Sequence, residues 1–211
     1  LISFFIVKNF NANVLVNTIL IFAAFFLVFI TLRDFFNKKY KNLAQNIAHF
    51  GFSLLILSIL FNNLFSSEII TNLKVGETYN GSNTKIVFES INQKKQKNYN
   101  SIIANFSITN SEGINNNLSP ELRIYNQPKI TTSEADIKTT LMKDKFIVIN
   151  LVQNQDYFNV RYQVKPFMLW IWLSVMIISF GGLISLLILS ILFNNLFTSE
   201  IITNLKVGET Y

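Results

Sequence analysis

The sequence predicts an integral membrane protein in which about three transmembrane α-helices carry an inserted β-rich extracytoplasmic domain. Half of the 211 residues are hydrophobic and only 14% are charged, with 21 Phe against 7 Gly and 3 Pro, a balance unusual for a soluble domain. The apolar residues are also clumped, into VLVNTILIFAAFFLVFITL (14–32), IAHFGFSLLILSILFNNLF (47–65) and FMLWIWLSVMIISFGGLISLLILSILFNNLF (167–197). Each is long enough to cross a hydrocarbon layer of about 30 Å at about 1.5 Å per helical residue. Between the second and third stretches the texture changes to short runs in which apolar and polar residues alternate, the period of half-buried strands.

Taken in order, residues 1–32 read as an N-terminal segment leading into the first transmembrane helix. The chain opens on LISFFIVKNF, without an initiator Met, a basic leader or a small-residue cleavage site, and so reads as an internal piece of something longer. Residues 33–42, RDFFNKKYKN, form a short loop holding Arg33, Lys38, Lys39 and Lys41. Such an excess of cations in a short loop marks the cytoplasmic side. Residues 43–65 are the second helix, and 66–165 therefore lie on the outer face. Within that domain TKIVFESI (84–91), SIIANFSIT (101–109), KFIVINLV (145–152) and YFNVRYQV (157–164) read as strands, with EGINNN and QNQD as turns. The KKQK cluster at Lys94–Lys97 reads as a solvated hairpin tip, or as a contact for lipid head groups. Residues 166–185 form the last helix.

Composition also excludes several chemistries. The chain has no cysteine, which rules out disulfides, thiolate chemistry and Cys-based attachment of metal or haem within it. Its net charge of +6 comes from 18 Lys and Arg against 12 Asp and Glu, but no basic stripe interleaved with aromatics accompanies the charge, so nucleic acid is not an expected partner.

The only histidine, His49, falls near the start of the second helix, and ionisable groups within the membrane are costly and functional by default. Gln45, His49 and Ser53 recur at i, i+4 and i+8 and line up as a polar stripe, while Gly51 lets something bulky approach the backbone. A neutral imidazole facing a bundle interior is a good iron ligand; a structural histidine bonded to a neighbouring helix is the other reading of the same residue. A single histidine leaves no partner for a His-based triad or a zinc site. Among the carboxylates, Glu121 shares a strand face with Arg123 and reads as half of a local ion pair. In TSEADI the pattern reads as a helix start, capped by Thr132 or Ser133 with Glu134 and Asp136 in the first turn. Asp144 completes the set.

In order along the chain, the basic loop before NIAHFG, then KVGET, SPELRIY, TTSEADI, DKFIVI, KPFMLWIWLS and the pair Gly181–Gly182 resemble the C-terminal part of the CcmF family. That family is the haem lyase subunit of cytochrome c maturation in bacteria and plant mitochondria. The resemblance covers residues from about 33 to 183 and places the chain in a bacterial inner membrane, with 66–165 in the periplasm. It implies a haem b held within the membrane between two histidines, with His49 as one axial ligand of the haem iron, and it implies a haem chaperone, apocytochrome c and other maturation subunits as partners beside membrane lipid. The family's tryptophan-rich loop and its other histidines are not in this sequence, so no catalytic residue is assigned. Three departures stand out: DKFIVI lacks the tyrosine usual after its Asp, Ser174 stands where Gly is usual, and the basic tail expected after Gly182 is replaced.

The replacement is a copy. SLLILSILFNNLFSSEIITNLKVGETY (53–79) returns as SLLILSILFNNLFTSEIITNLKVGETY (185–211), with Ser66 changed to Thr198. Tandem architectures repeat whole structural units and tolerate drift. This repeat begins inside one helix and stops a few residues into a loop, so 186–211, duplicating 54–79, is expected to be no functional unit and to lie as a frayed tail on the cytoplasmic side. The function expected is a membrane component of cytochrome c maturation handling haem for attachment to apocytochrome c; the alternative is a structural membrane anchor displaying a β-rich domain for partner binding, without catalysis.

Overall fold

The computed structural model describes residues 14–36, 43–111, 113–152 and 156–208. The chain divides into a helical unit, Leu1–Leu64 with Trp170–Tyr211, and a β unit, Phe65–Leu169.

The helical unit contains α1 (Val14–Phe36), α2 (Leu43–Phe65) and most of α3 (Met168–Gly208). Each holds a stretch long and apolar enough to cross a membrane: Val16–Phe36, Leu43–Phe65 and Met168–Asn195. Runs free of proline become helices here because a helix satisfies every backbone N–H and C=O without water. The few hydroxyls follow the same logic. Thr31 donates to the carbonyls of Leu27 and Val28, Ser58 to Leu54 and Ser174 to Trp170. Between α1 and α2 the contact is a seam in which Ile21 and Ala24 meet Leu57, Leu60 and Leu64, residues three and four apart that form one stripe on each helix.

The basic loop is described only for Arg33–Phe36, the last turn of α1, where a cation complements the partial negative charge of the helix end; residues 37–42 lie outside the described residues. At the other end the structure differs from the expectation of a helix followed by a frayed tail. α3 runs unbroken for 41 residues, about 61 Å at about 1.5 Å per residue, and carries the second copy of the repeat in helical form through Gly208.

The β unit is two antiparallel sheets packed face to face. One has the strand order β1 (Ser67–Leu73), β10 (Phe158–Pro166), β9 (Lys143–Leu151), β8 (Asp136–Thr139). The other runs β2 (Thr78–Asn80), β3 (Thr84–Lys95), β4 (Tyr99–Asn110), β6 (Glu121–Tyr125), β7 (Thr131–Glu134), with β5 (Asn115–Leu118) also paired to β4. Both sheets feed one core: Ile86, Phe88, Ala104, Phe106 and Ile108 from β3 and β4 against Ile147, Ile149, Val160 and Tyr162 from β9 and β10. Phe88 lies over Phe106 at 4.4 Å between ring centroids and meets the ring of Phe158 edge-on at 5.6 Å.

The four expected strands are the long ones, β3, β4, β9 and β10. In β3 the alternation that points Ile86 and Phe88 inward would next bury Ser90. A bulge between Phe88 and Ser90 inserts one residue, so Ser90 pairs outside with Asn105 (2.9 Å) and Ile91 rejoins the core. KKQK is a hairpin tip, closed by the Gln96 N–H on the Tyr99 carbonyl at 2.9 Å. Gly76 takes φ +87° in the turn after β1, a conformation that glycine enters without strain.

Two expectations are corrected. TSEADI is not a helix start: Glu134 ends β7 and Asp136 begins β8. Pairing to β6 and β9 outweighs the local capping signal, and the Asp136 carboxylate instead accepts the backbone N–H of Ser119 at 2.6 Å. EGINNN is only partly a turn, because Asn115–Asn117 join β5 against β4. In QNQD, residues 153–155 lie outside the described residues.

Candidate functional site

His49 sits in the second turn of α2, on a face that α1 and α3 leave open. Gln45, His49, Phe52, Ile59 and Asn63 are all exposed and recur at spacings of three, four and seven, so they make one continuous stripe down the helix. The sequence pattern suggests an imidazole facing the interior of a bundle; within this chain it faces outward. Gln45 Nε2 lies 3.2 Å from His49 Nε2. At that spacing the amide donates to a neutral imidazole protonated on Nδ1, or, turned over, its oxygen accepts from Nε2–H. Ser53 leaves the stripe: it is fully buried and donates to the Phe50 carbonyl at 2.8 Å.

The opposite side of α2 fixes the orientation of that stripe. A Cβ added at Gly181 of α3 would stand 2.8 Å from the Ala48 nitrogen and 2.9 Å from the Ala44 oxygen, and one added at Gly51 would stand 2.9 Å from the Ile178 backbone. Ala44, Ala48 and Gly51 thus form a strip of small residues against which α3 lies backbone to backbone, the close approach that membrane helices use in place of a hydrophobic driving force. Gly51 does admit something bulky, and that something is Ile178. The signal for the strip is in the sequence as small residues three and four apart, Ala44, Ala48 and Gly51, on the face opposite the polar stripe. A cleft of about 680 Å³ opens elsewhere among the helices, between Leu32 and Phe35, Ile47 and Phe50, and Met176 and Phe180. Its walls are apolar except for Thr31, whose hydroxyl is already committed, and His49 is not among its lining residues.

Glu121 and Glu134 share one cation. Arg123 reaches the Glu121 carboxylate at 2.9 Å and that of Glu134 at 3.6 Å, with its guanidinium over the Tyr99 ring. The expected Glu121–Arg123 pair is thus one side of a three-residue network, and Arg123 holds the Glu121 carboxyl below the usual carboxylate range. A carboxyl held ionised is not a general acid. Glu68 is held low likewise by hydrogen bonds from Arg161 and Gln163. Asp144 has one buried oxygen with no hydrogen-bond partner among the described residues. No group of three or more His, Asp or Glu side chains among the described residues could hold a metal ion.

Fold and helices together define an integral membrane protein with a β-sandwich inserted between two of its spans. Residues 64–166 match the family described as CcmF C-terminal beta-sandwich, and this portion of the chain belongs to that family. Cytochrome c-type biogenesis protein ccl1 of Rhodobacter capsulatus is 29% identical over 139 residues, covering 66% of this chain and 21% of the relative. The CcmF proteins of Haemophilus influenzae (26% identical, 65% of this chain and 21% of the relative) and Escherichia coli (25%, 66% and 22%) are similar in the same way. The chain therefore spans about a fifth of the length of these relatives. A solved structure described as Cytochrome c Heme Lyase CcmF shares the fold, with a TM-score of 0.53 over 68% of this chain and 24% of that one at 16% identity.

Proposed function

We propose that the chain serves cytochrome c maturation as the part of a haem lyase that supplies one wall of a membrane haem site and the extracytoplasmic platform beside it. The observation that carries this reading is His49, the chain's single histidine, exposed on an open stripe of a membrane-spanning helix in a protein related to cytochrome c biogenesis proteins. The residues present fit half of a six-coordinate haem b site. His49 would hold the haem iron from this chain; a second histidine would come from outside it.

In that role the imidazole would offer a ring nitrogen to iron: with Nδ1 as the ligand, Gln45 one turn away would hold the ring plane by accepting from Nε2–H through its side-chain oxygen. For Nε2 to serve as the ligand, the Gln45 amide turns aside. The packing of Gly181 on Ala44 and Ala48 holds α2 so that the stripe stays turned outward. When bound, such a haem supplies one-electron chemistry. The β-sandwich, on the outer side of the membrane in this reading, would meet a haem chaperone, apocytochrome c or other maturation subunits.

The test is an absorption spectrum in mild detergent with added haem. This chain alone, with one strong ligand, is expected not to form a low-spin six-coordinate haem, whereas a longer protein carrying the preceding helices should form one that His49→Ala abolishes. A sharp low-spin spectrum from the monomeric chain, or an unchanged spectrum after His49→Ala in the longer protein, would leave the platform without a haem site and favour a plain anchor. Side is tested separately: a Cys at Ser119 should react with a membrane-impermeant reagent added outside, and one at Asn37 should not.

A further inference from the structure

The topology of the four-stranded sheet brings an apolar turn to the end of the β unit from which the chain enters its spans. β1 begins at Ser67, two residues after α2 ends at Phe65, and β10 ends at Pro166, two residues before α3 begins at Met168. Both covalent passages therefore leave from one end of the sheet. β9 is antiparallel to β10 and starts at that same end, with Lys143 opposite Pro166, and β8 finishes there, with Thr139 opposite Asp144. The turn joining β8 to β9 is consequently the third feature at this end. Its backbone is tied to the passage itself: the Phe167 N–H donates to the Met142 carbonyl at 2.8 Å.

What the turn displays there does not suit water. Leu141 and Met142 are 59% and 53% exposed, set in the otherwise polar run KTTLMKDK. The Thr140 hydroxyl donates to the Lys143 carbonyl at 2.6 Å and closes the turn, with both side chains left on its surface. Lys138 and Lys143 are exposed beside them, while Lys165, opposite Asp144, is half-buried with its ammonium over the Phe146 ring. Apolar tips flanked by exposed lysines are the chemistry of the bilayer edge, where acyl chains give way to phosphates.

We infer that the β8–β9 turn is a membrane-interface anchor: Leu141 and Met142 enter the hydrocarbon edge of the adjoining leaflet while Lys138 and Lys143 face lipid phosphates. The anchor fixes the sheet against the bilayer at a third point besides its two covalent connections. This holds whether or not the chain handles haem, since it needs only the spans.

Because the chain has no cysteine, Leu141→Cys, Met142→Cys and a control, Leu151→Cys, each give a single label in the full chain. Leu151 is 45% exposed at the far end of β9, about 26 Å from Lys143 at about 3.3 Å per residue. In nanodiscs of phosphatidylethanolamine and phosphatidylglycerol, the labels at 141 and 142 should react several-fold more slowly with a water-soluble maleimide than the one at 151. A fluorophore at 142 should be quenched by brominated acyl chains, and one at 151 should not. Equal rates at the three positions, or slow reaction at 142 without quenching by brominated lipid, overturns the proposal, the second result pointing to a protein contact. The unmodified chain gives an independent reading: a lipid with a diazirine on its acyl chain should crosslink the tryptic peptide spanning 139–143, and crosslinks confined to the helices would likewise overturn it.

Discussion

Gly181 and Gly182 are adjacent in α3, yet only one is placed where a side chain has nowhere to go. A methyl group on Gly181 would lie 2.8 Å from the Ala48 nitrogen, 2.9 Å from the Ala44 oxygen and 3.0 Å from the Ala48 Cβ, while one on Gly182 meets nothing within 4 Å. Carbon contacts are comfortable from about 3.5 Å, so Gly181→Ala is short by about 0.7 Å against backbone atoms that cannot rotate away. Overpacking of this kind costs about 1–3 kcal/mol, or roughly 5- to 150-fold in an equilibrium between associated and separated helices. Both substitutions change the backbone's intrinsic helix preference by the same amount, so their difference isolates the packing. The chain's two tryptophans, Trp170 and Trp172, both lie on α3, and their fluorescence during titration of the detergent-solubilised protein with sodium dodecyl sulfate reports the separation. Gly181→Ala should shift the transition to lower denaturant and Gly182→Ala should not. Equal transitions for the two variants would refute the backbone-to-backbone contact, and with it the argument for how α2 is turned.

Other expectations concern the β-sandwich. Phe88, fully buried between Phe106 and Phe158, should cost about 3–5 kcal/mol on replacement by Ala, measured by urea unfolding. Tyr162 is buried with no hydrogen-bond partner for its hydroxyl among the described residues, and burial pushes its pKa up to about 12. The fold thus prefers the neutral phenol. Stability from this preference is fully present below the ordinary tyrosine value of about 10 and is lost as pH rises from there towards 12, so Tyr162→Phe should flatten the alkaline limb of a stability profile and raise stability at neutral pH by about 1–3 kcal/mol, the cost of a buried hydroxyl left without a partner. Removal of Leu186–Tyr211 should leave the protease resistance of the sandwich unchanged, because all its strands lie between Ser67 and Pro166; a large fall would show that the second copy packs somewhere.

Hydrophobic run length was enough to mark the three helices, since a bilayer demands continuous apolar stretches whatever packs around them. Alternation was enough for the long strands β3, β4, β9 and β10, where one buried face imposes a period of two. Local chemistry misled in TSEADI, whose capping residues were overruled by pairing across β6 and β9. It was silent on Glu134 joining the Glu121–Arg123 pair, a contact across strands that no spacing within one segment encodes. At the candidate site the sequence supplied His49 and its Gln45 neighbour one turn away. Which way the stripe faces was decided by Gly181 meeting Ala44 and Ala48, residues more than 130 positions apart.

The repeat separates the two kinds of information most directly. SEIITNL is a strand at 67–73 and helix at 199–205, with no difference in sequence between the two. Its residues determine only that the segment can take either form. At 67–73 the neighbouring strand β10 offers Phe158–Val164 in antiparallel register, and paired N–H and C=O groups along that edge, with Leu73 in the core, favour the extended form. At 199–205 the segment continues a helix already nucleated, where each further residue adds a hydrogen bond within the helix itself. The composition of the chain determined that it lives in a membrane; the neighbours that folding brings alongside decide what each identical segment becomes, because a strand needs a partner for its backbone and a helix carries its own.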